Sequence, residues 1–284
     1  AVTKSLIDAA GDLIVGTADN TVGRLAKGTP LQGLRTNVAG TALEWAPRGA
    51  PTDRTWMMLA PQSGSTVRVS GVGAAAVTTG TITTPSVAAV GYAFTQAVSA
   101  ASVGAGGGVQ QVSQAWYRGA SSDTFAGVRF CARVRYPDAS YNETGASTGS
   151  RINVGLSSAT PITTRRLGSV HGMVFNREHE NGFNTDTNWN FVVNDGGATA
   201  TTASTGIAFT PGNVYEMEIL CPPGATSITW TIWDRTAGTT ATGTVSTDLP
   251  GATTALYPVA LLSTVDAVAR TLQVGGIYVE AING

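Results

Sequence analysis

Val128-Arg129-Phe130-Cys131-Ala132-Arg133-Val134-Arg135-Tyr136 is the stretch that decides the fold class. Val128, Phe130, Ala132, Val134 and Tyr136 recur at every second position, with Arg129, Cys131, Arg133 and Arg135 between them. A period of two sends alternate side chains to opposite faces of a β-strand. One face is expected in a core and the other in water. Tyr215-Glu216-Met217-Glu218-Ile219-Leu220-Cys221 repeats the pattern with the opposite charge. If the two strands are neighbours, Glu216 and Glu218 pair with the arginines as surface charges, worth about a few tenths of a kcal/mol each.

The same pattern continues outward. Residues 226–234 set Ile228, Trp230 and Ile232 against Thr229, Thr231 and Trp233, and Arg235-Thr236-Ala237-Gly238 supplies the turn of a hairpin whose second strand is 239–247. Further strands are expected at 151–156, 170–176, 189–194, 256–263 and 270–281. Helix signals are scarce, because Gly, Thr and Val interrupt nearly every window of apolar residues at three and four. The chain reads as all-β, a two-sheet sandwich or jelly roll.

Composition limits what such a fold does. The 284 residues carry 17 basic and 18 acidic side chains, a net charge of -1, and only 12% are charged. A typical domain has about 25%. Nucleic-acid binding through bulk positive charge is excluded. The charge-free stretch 69–117 contains Pro85 and many Thr and Gln residues, so no membrane insertion is expected from it. Residues 1–10 carry Lys4 and Asp8 and no apolar run, so no signal peptide is expected there. Cys131 and Cys221 lie in unrelated segments and are expected as free thiols.

Residues 1–47 are punctuated by Gly11, Gly16, Gly23, Gly28, Gly33 and Gly40. So short and glycine-rich a segment cannot bury enough apolar surface to order itself alone, and other copies of the chain are the simplest supply of partners. Leu13, Val15, Val22, Leu25, Leu43 and Trp45 are the candidate contacts of this stem, which serves oligomerisation and attachment. The sandwich then occupies 48–284, with 48–115 as a connecting β region and 116–284 as its core.

Gly11-Asp12-Leu13-Ile14-Val15-Gly16-Thr17-Ala18-Asp19-Asn20-Thr21-Val22-Gly23-Arg24-Leu25-Ala26-Lys27-Gly28, followed by Leu43-Glu44-Trp45-Ala46, closely resembles a module near the N-termini of tailed-bacteriophage fibre and minor tail proteins. Val154-Gly155-Leu156-Ser157-Ser158, then 186–196, Val214-Tyr215 and Cys221-Pro222-Pro223 resemble the concanavalin-like lectin domain common at the ends of such proteins. The resemblance implies a homotrimer on the virion exterior, with an intertwined β stem docked to tail proteins and a jelly-roll head facing host-surface glycans. A head fibre or capsid decoration protein, docked to capsid proteins instead, is the first alternative, and a polysaccharide depolymerase the second.

Chemical motifs weigh against the depolymerase. Gly145-Ala146-Ser147-Thr148-Gly149 fits G-x-S-x-G but lacks a strand before it and a helix after it. His171 and His179 are too few for a common zinc or triad site, and Arg177-Glu178-His179-Glu180 reads as a solvated loop. Asp186-Thr187-Asn188-Trp189-Asn190 begins like a calcium loop, then places Phe191 where glycine is needed. Gly104 to Gly108 reads as a turn. No catalytic residue, cofactor or metal is expected. Trp45, Trp116, Trp189 and Trp230 are expected in core or interface. Trp233, with Asp234 and Arg235, is the candidate glycan contact, because an exposed aromatic face stacks on sugars.

Overall fold

The computed structural model describes residues 13–18, 21–26, 32–36, 43–47, 66–69, 73–76, 81–87, 93–99, 101–111, 115–120, 127–137, 149–159, 165–180 and 184–281. The chain divides into two compact units, Ala1–Thr55 and Trp56–Gly284. In the first, β1 (Leu13–Ala18) pairs antiparallel with β2 (Thr21–Leu25), and β3 (Gln32–Thr36) with β4 (Leu43–Pro47). Each pair is a separate two-stranded sheet.

The second unit is an antiparallel β-sandwich. Its strands are β5 (Thr66–Val69), β6 (Gly73–Ala76), β7 (Thr81–Val87), β8 (Ala93–Val98), β9 (Gly106–Gln111), β10 (Val128–Arg135), β11 (Gly149–Ser157) and β12 (Gly172–Glu180). There follow β13 (Asn184–Thr185), β14 (Asn188–Asn194), β15 (Thr201–Ala208), β16 (Val214–Cys221), β17 (Ile228–Asp234), β18 (Thr239–Val245), β19 (Tyr257–Thr264) and β20 (Thr271–Ala281). One sheet has seven strands in the order β18-β17-β16-β10-β20-β8-β7. The other has nine, β15-β14-β12-β11-β19-β9-β6-β5, with β13 paired to β12. Along the described strands the chain changes sheet at β6–β7, β8–β9, β9–β10, β10–β11, β15–β16, β18–β19 and β19–β20, which is the double-sheet winding of a jelly roll. Among the described residues no helix is long and apolar enough to cross a membrane.

The alternation seen in the sequence builds the core. Val128, Phe130, Ala132 and Val134 of β10 meet Ile152, Val154 and Leu156 of β11 in one cluster of buried side chains. Trp189, 1% exposed, packs edge-on to Tyr215 and to Phe209 at 5.4 and 5.5 Å between ring centroids. Trp230 is buried beside Phe175 and Phe191, and Trp116 packs half-buried against the cluster. Gly106–Gly108, expected within a turn, instead form the start of β9, and only Gly104 takes a turn conformation, at φ 76°. A Cβ on Gly108 would stand 2.3 Å from the Ala260 carbonyl oxygen, so the close approach of β19 requires glycine there.

The second face of β10 departs from expectation. β10 and β16 are neighbours, with Arg133 opposite Glu216 and Cys131 opposite Glu218. The middle of the face is shut off from water. Arg129, Arg133 and Glu216 are 4%, 8% and 1% exposed. Arg133 Nε donates to Glu216 Oε1 at 2.8 Å, and Arg235 Nε donates to Glu216 Oε2 at 2.6 Å. Arg129 pairs with Glu218 on one side and reaches Glu280 of β20 at 3.3 Å on the other. Long side chains laid flat across three adjacent strands cover one another's stems, so an alternating-charge row becomes a dry ladder.

A pair this buried is costly to break, because its partner is left charged without solvent. Glu216→Ala is expected to lower unfolding free energy by about 3–5 kcal/mol in urea titrations. Arg235→Ala, which removes a partly exposed cation, should cost about 1 kcal/mol or less. Similar small losses for both would show the ladder to be solvated.

Candidate functional site

Trp233, Asp234 and Arg235 sit where β17 ends and its turn begins. Alternation along β17 places Asp234 on the side of Ile228, Trp230 and Ile232, and Trp233 on the outer face. The structure therefore brings Trp233 and Arg235 together and sends Asp234 away from them. The Arg235 guanidinium lies 5.5 Å from the centre of the half-buried Trp233 ring while it also binds Glu216. Asp234 is buried and structural. Its Oδ1 accepts from the Thr236 and Ala237 N–H groups at 3.0 and 2.9 Å, and its Oδ2 from Asn213 Nδ2 at 2.7 Å. These bonds close the 235–238 turn.

The two carboxylates that share one face of β16 are both paired. Both oxygens of Glu216 are taken by guanidinium groups, and Glu218 is paired to Arg129. Neither is the surface charge expected. Residues 177–180 form the end of β12, not a solvated loop, and Arg177 and Glu178 are 3% and 0% exposed. The Arg177 guanidinium packs 4.4 Å above the Phe209 ring. Asp186 clasps β12 from the side: its Oδ2 accepts from Glu178 N–H at 3.1 Å and its Oδ1 from Arg166 Nη2 at 2.6 Å. The calcium-like start of that segment is thus a strand clasp leading to the buried Trp189. Among the described residues no group of three or more His, Cys, Asp or Glu is placed to hold a metal. Residues 145–148 lie outside the described residues.

One feature has no signature in the sequence. Arg165–Leu167 make a 3₁₀ turn, followed by Gly168, Ser169 and Val170, that lies against the outer face of the nine-stranded sheet. Leu167, fully buried, inserts among Val174, Val192, Val259 and Leu261. Arg165 donates two hydrogen bonds to Glu180, at 2.9 and 2.8 Å, and Arg151 adds a third at 2.6 Å. The bonds from Arg165, opposed by desolvation and assisted by Arg151, hold the Glu180 carboxyl at about 2.

The stem candidates fall on the two hairpins of the first unit. Leu13 stands opposite Leu25, Val15 opposite Gly23 and Val22 opposite Gly16, while Leu43 faces Thr36 and Trp45 faces Leu34. Leu25 is half-buried and Leu43 is 44% exposed. The side chains of Leu13, Val15, Val22 and Trp45 lie outside the described residues.

No protein-family model and no curated protein matches the sequence. Among solved structures, similar chains are a lectin, UEA-II, complexed with galactose (13% identity, 71% of this chain and 89% of that one, TM-score 0.46) and arcelin-5, a lectin-like defense protein from Phaseolus vulgaris (9%, 70% and 90%, 0.45). A legume lectin-like domain from Entamoeba histolytica is similar at 8% identity, 67% and 84% coverage and a TM-score of 0.42.

Two measurements check this description. Glu180, held below its ordinary value of 4.5, contributes stability above that value that is lost as pH falls through about 2. Thermal midpoints should therefore fall between about pH 5 and pH 2, and Glu180→Gln should flatten that limb; an unchanged slope refutes the pairing. Cys131 and Cys221 are buried and not joined in a disulfide, and burial pushes the Cys221 thiol up to about 11. Neither should react with a thiol reagent at pH 8 until denaturant is added, whereas prompt modification of the native protein would contradict their burial.

Proposed function

We propose that the chain is a non-enzymatic structural protein on the exterior of a tailed-bacteriophage particle, a homotrimeric tail fibre or minor tail protein whose sandwich contacts host-surface glycans. The observation that carries this reading is the division of labour along the chain. A first unit of two separate two-stranded sheets precedes a sandwich with a core of its own. Isolated two-stranded sheets are marginal in water, so the first unit gains most from strands contributed by sister copies or by a docking partner. Exposed Leu43 on β4 supplies apolar surface for such a contact.

The sandwich supports binding over hydrolysis. A glycosidase needs two carboxyl groups facing the scissile bond, and Glu216 and Glu218 face guanidinium groups of their own sheet. A rigid, charge-compensated sheet suits a protein whose task is to persist and to bind.

Mass measurement of the purified full chain should give three chain masses, and deletion of residues 1–47 should weaken both trimerisation and incorporation into particles. A stable full-length monomer would overturn the stem assignment. Labelled particles should carry signal on the tail; signal over the whole capsid would move the trimer to the capsid.

A further inference from the structure

The outer face of the nine-stranded sheet carries a patch of polar side chains that core packing does not require. Asn190, Asn176 and Asn153 stand in register across β14, β12 and β11. Two residues along the strands, Glu178, Arg151 and Ser263 make the next row across β12, β11 and β19. All six are buried, from 0% exposed at Asn176, Glu178 and Ser263 to 8% at Arg151. Asn176 Nδ2 donates to Asn153 Oδ1 at 2.9 Å. Asn176 Oδ1 and Ser263 Oγ make no hydrogen bond. Leaving such groups unsatisfied is costly, so a sheet selected for stability alone would place apolar residues there.

The Arg165–Leu167 turn and the three residues after it press on this face. Arg166, Leu167 and Ser169 all take positive φ, at 43°, 56° and 60°. Non-glycine residues adopt that region at a cost and keep it only where surrounding contacts enforce it. Here the enforcing contacts include hydrogen bonds to the sheet and to the segment after Asn194. Arg165 is bound to Glu180 and Arg166 to Asp186, and the Arg166 N–H donates to the Glu178 carboxylate of the polar patch itself. Asn194 Nδ2 donates to the Leu167 carbonyl at 2.8 Å, and the Ser169 N–H donates to the Gly197 carbonyl at 2.9 Å.

We propose that residues 165–170 form a displaceable cover, and that the face beneath it is a binding site for a neutral oligosaccharide. The inference rests on the glycan-binding part of the function proposed above and names its site. Amides on strands about 4.8 Å apart present alternating donors and acceptors to a row of sugar hydroxyls. Glu178, Glu180 and Arg151 leave the floor with one net negative charge once Arg165 lifts away, so it disfavours an anionic ligand. Val174, Val192, Val259 and Leu261, uncovered when Leu167 withdraws, offer an apolar strip to the C–H face of a sugar ring. The closed cover reduces apparent affinity by the fraction of time the face is open.

The test uses the full chain, with maltohexaose, chitohexaose and a mannan hexasaccharide as neutral probes and a sulfated hexasaccharide as the charged control, measured by titration calorimetry. Leu167→Ser opens the cover and is expected to bind at least one neutral probe about tenfold more tightly than the native chain. Asn176→Leu removes the unmet Oδ1 together with the Nδ2 bond to Asn153, so that binding should be lost, alone and combined with Leu167→Ser, while the far-ultraviolet circular dichroism stays that of the native fold. A probe bound equally by the native chain and by both variants overturns this site and leaves glycan binding standing. No neutral probe bound even by a folded Leu167→Ser, or preference for the sulfated control, overturns the proposal; the first result also removes the glycan reading, while trimer assembly is judged by its own experiment.

Discussion

A guanidinium laid flat on a sheet and shut off from water must have a carboxylate opposite it, and that requirement sets the register of the central strands. Arg133 meets Glu216 on the adjacent strand, and Arg129 is held between Glu218 and Glu280. A slip of one residue between β10 and β16 would carry the arginines into the aliphatic core and bring Val128, Phe130 and Val134 out among the glutamates. Both faces of β10 thus specify one pairing, the inner through shape and the outer through charge. The net energy gained by such buried pairs over well-packed hydrophobic residues is small, so their contribution here is to uniqueness of register.

With register set in the middle, the sheets can end in strands that carry little information. β18 and β15 read Thr-Thr-Ala-Thr-Gly-Thr-Val and Thr-Thr-Ala-Ser-Thr-Gly-Ile-Ala, without a charge or a proline. β15 breaks register against β14 between Asn188 and Asn190, and its Gly206 takes φ 72°, which twists the edge away from continued pairing. The two terminal strands meet where Thr201 Oγ1 contacts Thr247 Oγ1 at 2.7 Å and Asp248 at 2.6 Å.

These differences explain what could be read from the sequence. β10, β16 and β17 were legible because large apolar residues alternate with charged or hydroxylated ones over seven or more positions. β15 was not, because Thr, Ala and Ser differ too little in hydrophobicity to mark two faces. Alternation showed that Arg129 and Arg133 share a face, but whether that face is wet depends on side chains contributed by β16, β17 and β20, far away in the sequence. The Arg166, Leu167 and Ser169 conformations were illegible for a different reason. Positive φ is normally announced by glycine, and Gly168 stands between residues that take it in glycine's place.

That substitution of roles bears on how the chain could bind anything. A turn stabilised by its own backbone preference would persist after its side-chain contacts were cut. The turn at Arg165–Leu167 would not, since each strained residue is kept in place by a guanidinium, a buried leucine or an amide from the sheet below. The same sheet spends its remaining amides on one another and leaves an oxygen of Asn176 without a donor. Strain in the cover and unmet hydrogen bonding in the floor raise the energy of the closed state together, and a ligand able to satisfy the floor recovers both when the cover lifts. Affinity at such a face is governed by how far the closed state has already been destabilised, which is why removing the Leu167 plug, rather than adding a contact, is the change with the largest expected gain.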